Sequence, residues 1–453
     1  MKRVLNIVAF LIALMAVSDI YAQMPNIAYP QIQSFTVGQT ITPVVPTNTG
    51  GAVPQTPFGQ ITVVAGSGTA GFANGIGTAA KFNAPYDVKV DASGTLYVAD
   101  AGNNLIRKIT PAGLVTTIAG TGVAGSADGA SAVAQFFGPS GLAIDKFGNI
   151  FVTDRKNHTI RKITAAGVVS TLAGKAGFTG TTNANGDVAR FNLPTGIAVT
   201  PDGVLVVTDY GNNLVRQIGP DGSVGPIAGS GEDKSTDGNK RLAAFAKPIG
   251  IMVDNTGLIY MLDDSHIRTI DNNGNVVTIA GGFFSGRYDG SGLAAAFTRP
   301  VGIVKDAAGV LFIGDYGNNY IRRMDPIGSV DNIAPTGFDG PAGVDIDKNG
   351  VLYIADERSH VIKKMYTTGY SISPELPAGL IFDAATGIIS GTPTQKLQST
   401  NFIITAYNTT GRHVITSRIE VREANLMPQV ITFPPLPTKA VGDPDLDPGA
   451  TSS

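Results

Sequence analysis

A proline returns along most of this 453-residue chain at a nearly constant interval, and that period limits the fold more than any other feature. It stands at Pro85, Pro139, Pro194, Pro248, Pro300 and Pro341, with spacings of 54, 55, 54, 52 and 41 residues. A sustained period of this size marks a repeat architecture in which each unit buries its apolar surface against the next. Over residues 139–174 the unit reads as four short runs, GLAID, NIFVTD, TIRKIT and VVSTLAG, separated by turns such as DKFG. Runs of that length rich in branched and aromatic residues, punctuated by Gly, Asn, Asp and Pro, predict strands and hairpin turns. Four strands per unit predict a propeller blade, and six units predict an all-β, six-bladed β-propeller.

The way the ring closes is also legible. The fourth-strand pattern V-x-x-[IVL]-A-G occurs at 115–120, 169–174, 224–229 and 276–281, with a degenerate copy at 330–335. Nothing of the kind follows the unit that begins at Pro341, whereas QITVVAG at 60–66 precedes the first proline. Strands and blades balance only if residues 61–65 complete the last blade, which leaves no open sheet edge. That closure sets the two ends of the propeller side by side, as an insertion into another domain requires.

The form P-x-G, then a hydrophobic run, then D-x-x-G, with ADAGNNLIRKI, TDYGNNLVRQI and GDYGNNYIRRM in the second half of the unit, resembles the NHL repeat over residues 60–366. The resemblance implies a TolB-like propeller, a fold that hosts both binding scaffolds and enzymes. Outside the repeat, FTVGQTITPVVPTNTGGAVP and LPAGLIFDAATGIISGTPT resemble the opening and the later strands of the He-PIG family of Ig-like, cadherin-like domains. Joined, the two halves make a sandwich of about 85 residues, a fitting size for that fold. The expected division is a signal peptide at 1–22, a first sandwich part at 23–56, the propeller at 57–367 and a second sandwich part at 368–423. Residues 424–453 read as the start of a further module, with one strand at VITF, or as a disordered tail, because so short a stretch cannot bury a core.

Lys2 and Arg3, an apolar run from Val4 to Val17 and the small Ala22 predict a secretory signal. The run falls short of the roughly 20 residues a spanning helix needs, so no transmembrane segment is expected. The chain is therefore expected outside the cell, secreted or on a bacterial surface. It has no cysteine, which excludes disulfides and thiolate metal sites. A net charge of −2 with no Lys/Arg block beyond the leader argues against a nucleic-acid footprint.

Strand direction places the 2-to-3 loops and the crossovers between blades on one face, and only tight turns on the other. Long glycine-rich crossovers on a rigid scaffold are the better functional candidates. The aspartates Asp100, Asp154, Asp209, Asp263, Asp315 and Asp356 end the second strand of every blade. A metal crown is conceivable, but presence in all six blades favours turn capping, and Arg107, Arg161, Arg216, Arg268, Arg322 and Lys363 are read as structural on the same ground. His158 and His360 share a position filled by Asn104, Asn213 and Asn319 elsewhere, on outward loops too far apart to share zinc. Departures from the repeat point more sharply to function. Blade one has Tyr86 and Asp87 where the others have x-G, and Lys305 stands alone among aliphatic equivalents, where it is expected to snorkel out of the channel. Phe283, Phe284, Arg287 and Tyr288 on the fifth crossover, with Tyr86 and Asp87, are the candidate binding residues. No cofactor is expected. Calcium is considered only because of the cadherin-like resemblance; Glu375, Asp383, Glu420 and Glu423 lack the dense acidic pattern of such sites.

These features predict a non-enzymatic interaction or adhesion scaffold that binds a protein, glycan or small ligand through the loop face. The alternative is a hydrolase or lyase, similar to gluconolactonase-like or amidating-lyase propellers, using the central channel with a divalent metal. Such an enzyme should converge acid, amide or histidine side chains on the axis.

Overall fold

The computed structural model describes residues 23–30, 32–282, 284–334, 336–424, 431–432 and 451–452. The proposed signal peptide lies outside the described residues. So does the tail, apart from Ile431–Thr432, which pairs antiparallel with Thr451–Ser452. No helix among the described residues is long and apolar enough to cross a membrane.

Six antiparallel sheets form the propeller. Blade two is representative, running outward from the axis through Pro139–Ile144, Ile150–Asp154, Thr159–Ile163 and Val168–Ala173. The last blade is made of Pro341–Ile346, Val351–Asp356, Val361–Tyr366 and, from the other end of the chain, Ile61–Ala65. That closing strand pairs in the register Ile362↔Ala65, Lys363↔Val63 and Met365↔Ile61.

Each blade packs on the next through an apolar layer, and the layers run right round the ring. Phe136 joins blades one and two beside Ile106, Leu142 and Val152, while Phe82 joins blades six and one beside Ala65, Val98 and Ala355. Phe82, Phe136, Phe191, Phe245 and Phe297 are all fully buried. Each such ring contributes about 2–3 kcal/mol by leaving water.

Near the axis the innermost strands approach so closely that the third residue of five of them must be glycine. A Cβ on Gly196 would stand 2.1 Å from the carbonyl oxygen of Ile249 in the next blade. Thr153 and Thr208 use the same closeness: each accepts the N–H of its own blade's glycine at 2.7 Å and donates to the neighbouring strand's carbonyl, Thr195 or Ile249, at 2.7 Å.

The crossovers are not free loops. Gly75–Ile76, Gly129–Ala130, Gly238–Asn239 and Gly290–Ser291 each add a short fifth strand to the outer edge of a blade before the chain returns to the axis. The long glycine-rich crossovers are thus anchored to the blade edges, since an outermost strand needs its edge covered.

The flanking segments meet in one sheet ordered Ile32–Thr36, Gly411–Arg422, Leu397–Asn408 and Gly369–Ser373. Ile32–Thr36 runs parallel to Gly411–Arg422, and Val44 bridges Ile389 on the facing layer. Ile27 and Tyr29 share a core with Tyr370, Phe402, Ile404 and Ile419. The propeller is thus threaded between two parts of one sandwich.

Candidate functional site

The repeated aspartates are stapling groups. In blade two, Asp154 and Arg161 are both fully buried, and Arg161 Nη1 donates to Asp154 Oδ2 at 2.8 Å and to the Gln135 carbonyl at 2.8 Å. Its Nη2 reaches the Ala127 carbonyl and Asp128, and its guanidinium lies 5.1 Å from the Phe136 ring. Asp154 also accepts the Phe137 N–H at 2.7 Å and the Asn157 side-chain amide at 2.7 Å. One Asp–Arg pair therefore ties two points of a crossover to the blade it covers. The pattern recurs at Asp100, Asp209, Asp263 and Asp315, and in blade six Lys363 takes the arginine's place against Asp356. Asp154 lies opposite Thr159 and Arg161 opposite Val152, so the arginine reaches back two residues along the paired strand to the acid. The same register holds in blade four, where a shorter loop brings Asp263 and Arg268 five residues apart instead of seven.

The histidines link blades. His158 Nδ1 accepts the Leu193 N–H at 3.0 Å, and His360 Nδ1 accepts the Ala84 N–H at 3.0 Å. Asn104 and Asn213 use Oδ1 for the same purpose, on Gly138 and Lys247. All four stand at positive φ, where a short polar side chain is favoured. Only a neutral imidazole can accept at Nδ1, and burial holds the His158 pKa below its ordinary value. Its contribution is therefore complete above the unfolded value, about 6.5, and is lost as pH falls through the lower folded value. His158→Asn is expected to keep the native melting temperature and remove this part of the acid sensitivity. His158→Ala should cost about 1 kcal/mol at neutral pH, read from chemical denaturation.

In the sandwich, Asp383 accepts from Ala385 and Thr386, Glu420 pairs with Arg422, and Glu423 lies 4.0 Å from Lys396. Among the described residues no three His, Cys, Asp or Glu groups are placed to hold one metal ion.

On the axis the structure gathers groups that the repeat leaves variable. Asp87 occupies the glycine position of blade one. Its carboxylate accepts the N–H of Val88 at 2.9 Å and of Leu142, in blade two, at 2.8 Å, and lies 3.3 Å from Lys89 Nζ. In the adjoining blade six, Asp345 accepts the Val90 N–H at 2.8 Å. Burial raises both carboxyls, Asp345 to about 6. Burial opposes the Lys89 charge, but Asp87 and Asp345 outweigh it and hold the ammonium above its ordinary range. The cavity lined by Asp87 and Lys89 has a volume of about 30 Å³. That is room for a water molecule or two, not for a substrate.

Lys305 does not run to open solvent as expected of a snorkelling lysine. It turns sideways to Asp254 of blade four at 2.5 Å and lies over the Tyr260 ring at 4.6 Å, because a largely shielded ion pair outcompetes a solitary exposed ammonium.

Above the narrow cavity, the second residue of each innermost strand and the residue after each repeated aspartate converge on the mouth. Tyr86, Tyr210 and Tyr316 pack there against Ile249, Val301 and Ala342. Arg155 stacks on Tyr210 at 5.1 Å, and Arg299 and Arg358 sit on Tyr316 at 4.9 and 4.7 Å. Glu357 hydrogen-bonds the Tyr316 hydroxyl, and burial pushes the Tyr86 phenol up to about 12. Arg299 and Arg358 are exposed, Arg155, Tyr86 and Tyr210 half-buried.

Of the candidates read from sequence, Tyr86 and Asp87 reach the axis. Phe284 and Tyr288 are exposed on the fifth crossover, where Arg287 donates to the Tyr320 hydroxyl at 3.0 Å, and Phe283 lies outside the described residues. Sequence reading missed Lys89, Asp345 and the arginine–tyrosine mouth. A signal existed: the residue after the repeated aspartate is Ala101, Arg155, Tyr210, Asp264, Tyr316 or Glu357, a variable position inside a constant frame.

Comparison with known proteins agrees with this architecture. The NHL repeat family matches residues 136–163 and 191–218, the Teneurin NHL domain family residues 222–287, and the family described as "Putative Ig domain" residues 353–422. NHL repeat-containing protein 2 of Bos taurus is 29% identical over 281 residues, covering 53% of this chain and 38% of that protein. Teneurin-4 of Homo sapiens is 25% identical over 292 residues, covering 53% of this chain and 10% of that protein. The chain thus spans well under half the length of these relatives. Among solved structures, a Bacteroides thetaiotaomicron protein of unknown function superposes with a TM-score of 0.54 at 15% identity, over 77% of this chain and 99% of that one. An auxiliary nutrient binding protein from the same species gives 0.52 at 13% identity, over 76% and 98%. Repeats, closure and sandwich taken together, the chain is an NHL-repeat β-propeller carrying an Ig-like domain.

Proposed function

We propose that this protein is a non-enzymatic, exported interaction module that engages a partner with the mouth of its propeller. The observation that carries this reading is the cluster of Arg155, Arg299 and Arg358 stacked on Tyr210 and Tyr316 around a closed axis. Tyrosine and arginine supply most of the energy at protein contacts, and half-buried aromatic rings lose little freedom on binding. Arg358 is paired with Asp339, but Arg155 and Arg299 make no ion pair among the described residues, which suits a partner presenting an acidic group, whether a protein or a glycan. Placement outside the cell rests on the apolar run after Lys2 and Arg3.

The test is a binding screen of the full chain against acidic glycan and protein arrays, repeated with variants. Arg299→Ala and Tyr210→Ala together should weaken a captured partner at least about 30-fold, as a contact worth about 2 kcal/mol implies, without lowering the melting temperature. Phe284→Ser with Tyr288→Ser should have a smaller effect. Lactonase or lyase turnover that disappears in Asp87→Asn and survives the mouth variants would instead place the chemistry in the channel and overturn this reading.

A further inference from the structure

Around the ring, the residue just before each repeated proline stands at positive φ: Ala84, Gly138, Leu193, Lys247, Arg299 and Gly340. At five of these six, the N–H donates across a blade junction to His360, Asn104, His158, Asn213 or Asn319, at 2.9–3.1 Å. Arg299, which leads into blade five, is the exception: its N–H makes no hydrogen bond among the described residues.

The cause is the short loop of blade four. Only Asp264 and Ser265 stand between the paired Asp263 and His266, whereas in blade two residues 155–158 stand between the paired Asp154 and Thr159. Two side chains are lost with the shortening. The first, equivalent to Asn157, is replaced from the crossover, where Ser235 Oγ donates to Asp263 at 2.8 Å. The second, equivalent to His158, is not replaced. Ser265 stands in its place, since a Cβ on Gly281 would lie 2.4 Å from the Ser265 carbonyl oxygen just as one on Gly174 would lie 2.5 Å from that of His158. Its hydroxyl turns instead to Asp264, at 3.5 Å.

The other junctions also carry a second polar tie, and this one does not. Thr153 and Thr208 latch blades two to three and three to four, Asp87 holds Leu142, and Asp345 holds Val90. Arg358 of blade six reaches Asn319 of blade five at 2.5 Å. Blade four has Leu262 where Thr153 and Thr208 stand, and the innermost strand of blade five, Gly302–Lys305, has four residues where that of blade four has six. Among the described residues the polar tie left between blades four and five is Lys305, with Asp254 at 2.5 Å, and it lies at the face of tight turns, away from the mouth.

We propose that the ring has a built-in seam between blades four and five, which opens at the mouth and hinges about the Lys305–Asp254 pair. Stability is uneven within a fold, and the element with fewest ties opens first. Arg299 moves with blade five, so the seam gives the mouth one adjustable wall, whatever the mouth binds. The closing strand at Ile61–Ala65 is by contrast doubly secured, through its own ladder and through the His360 and Asp345 ties to blade one.

The experiment uses single thiols, because the chain has no cysteine of its own. Ala80, Ala134, Ala189, Ala243 and Ala295 are fully buried at equivalent places in five of the layers between blades. Each is changed to cysteine in the full chain, and the rate of modification by a thiol reagent is measured under native conditions. Ala295→Cys should react at least about tenfold faster than the other four, as the loss of one or two hydrogen bonds implies. Replacing Asp264 and Ser265 by the sequence Ala-Gly-Asn-Asn of residues 101–104 should slow it towards the others. Conversely, Asn104→Ala should speed the reaction of Ala134→Cys, a comparison that stands even if the longer loop does not fold. Equal rates at all five positions, a faster reaction at Ala80→Cys than at Ala295→Cys, or no response of Ala134→Cys to Asn104→Ala would each overturn the proposal. So would a folded long-loop variant that reacts as fast as before, which would mean that the fifth crossover frays by itself.

Discussion

Asp154→Ala is expected to destabilise the protein by about 3–5 kcal/mol, since it leaves Arg161 charged and buried with no carboxylate. The loss should appear as a lower denaturant midpoint at unchanged slope, because the surface exposed on unfolding is the same. Asp154→Ala combined with Arg161→Met should cost less than the sum of the single changes, because neither partner is then stranded. The two singles would be additive only if the groups did not interact. A stability change below about 1 kcal/mol for Asp154→Ala would contradict the stapling role and reopen the question of a ligand-binding crown. The reason to expect so large an effect is local. Arg161 donates to the Gln135 and Ala127 carbonyls and to Asp128, so losing its orientation also loosens the second crossover.

The second large effect concerns closure. A chain of residues 57–367 keeps Ile61–Ala65 against Val361–Tyr366, and a chain of residues 67–367 does not. The shorter chain should melt at least about 10 °C lower, which corresponds to about 3–5 kcal/mol for a domain of this size. It should also associate, since Val361–Tyr366 would present an unpaired edge. Ile61, Val64 and Ala65 would no longer fill the layers between blade six and its neighbours. Differential scanning calorimetry and light scattering on the two chains measure both consequences. Equal melting temperatures with both chains monomeric would show that the ring does not depend on that strand.

The proline period, the four runs per unit and the odd strand at 61–65 were enough to specify the number of blades and the way the ring closes. These are properties of alternation and counting along the chain, and every blade repeats them. The Asp and Arg positions were legible as structural for the same reason: a pair seven residues apart across one hairpin is set by local register, as Asp154 and Arg161 show. His158 could likewise be read against Asn104 and Asn213, because the position does one job with either side chain.

What only the tertiary structure decided lies between units that are far apart in sequence. Tyr86, Tyr210, Tyr316 and the arginines above them meet because six blades point their first strands at one axis, and no single repeat encodes that convergence. Lys305 looked unpaired because its partner, Asp254, belongs to the preceding blade. Asp87 stood out as a candidate binding residue because it departs from a glycine. The structure places its carboxylate between neighbouring innermost strands, close against Gly343 and accepting the Leu142 N–H. The contact between Arg323 of the propeller and the Tyr407 ring beyond it likewise depends on the insertion bringing the two together. Local pattern determined the elements and their closure; packing between blades and between domains decided which side chains share a space, because those contacts depend on distances that sequence order does not carry.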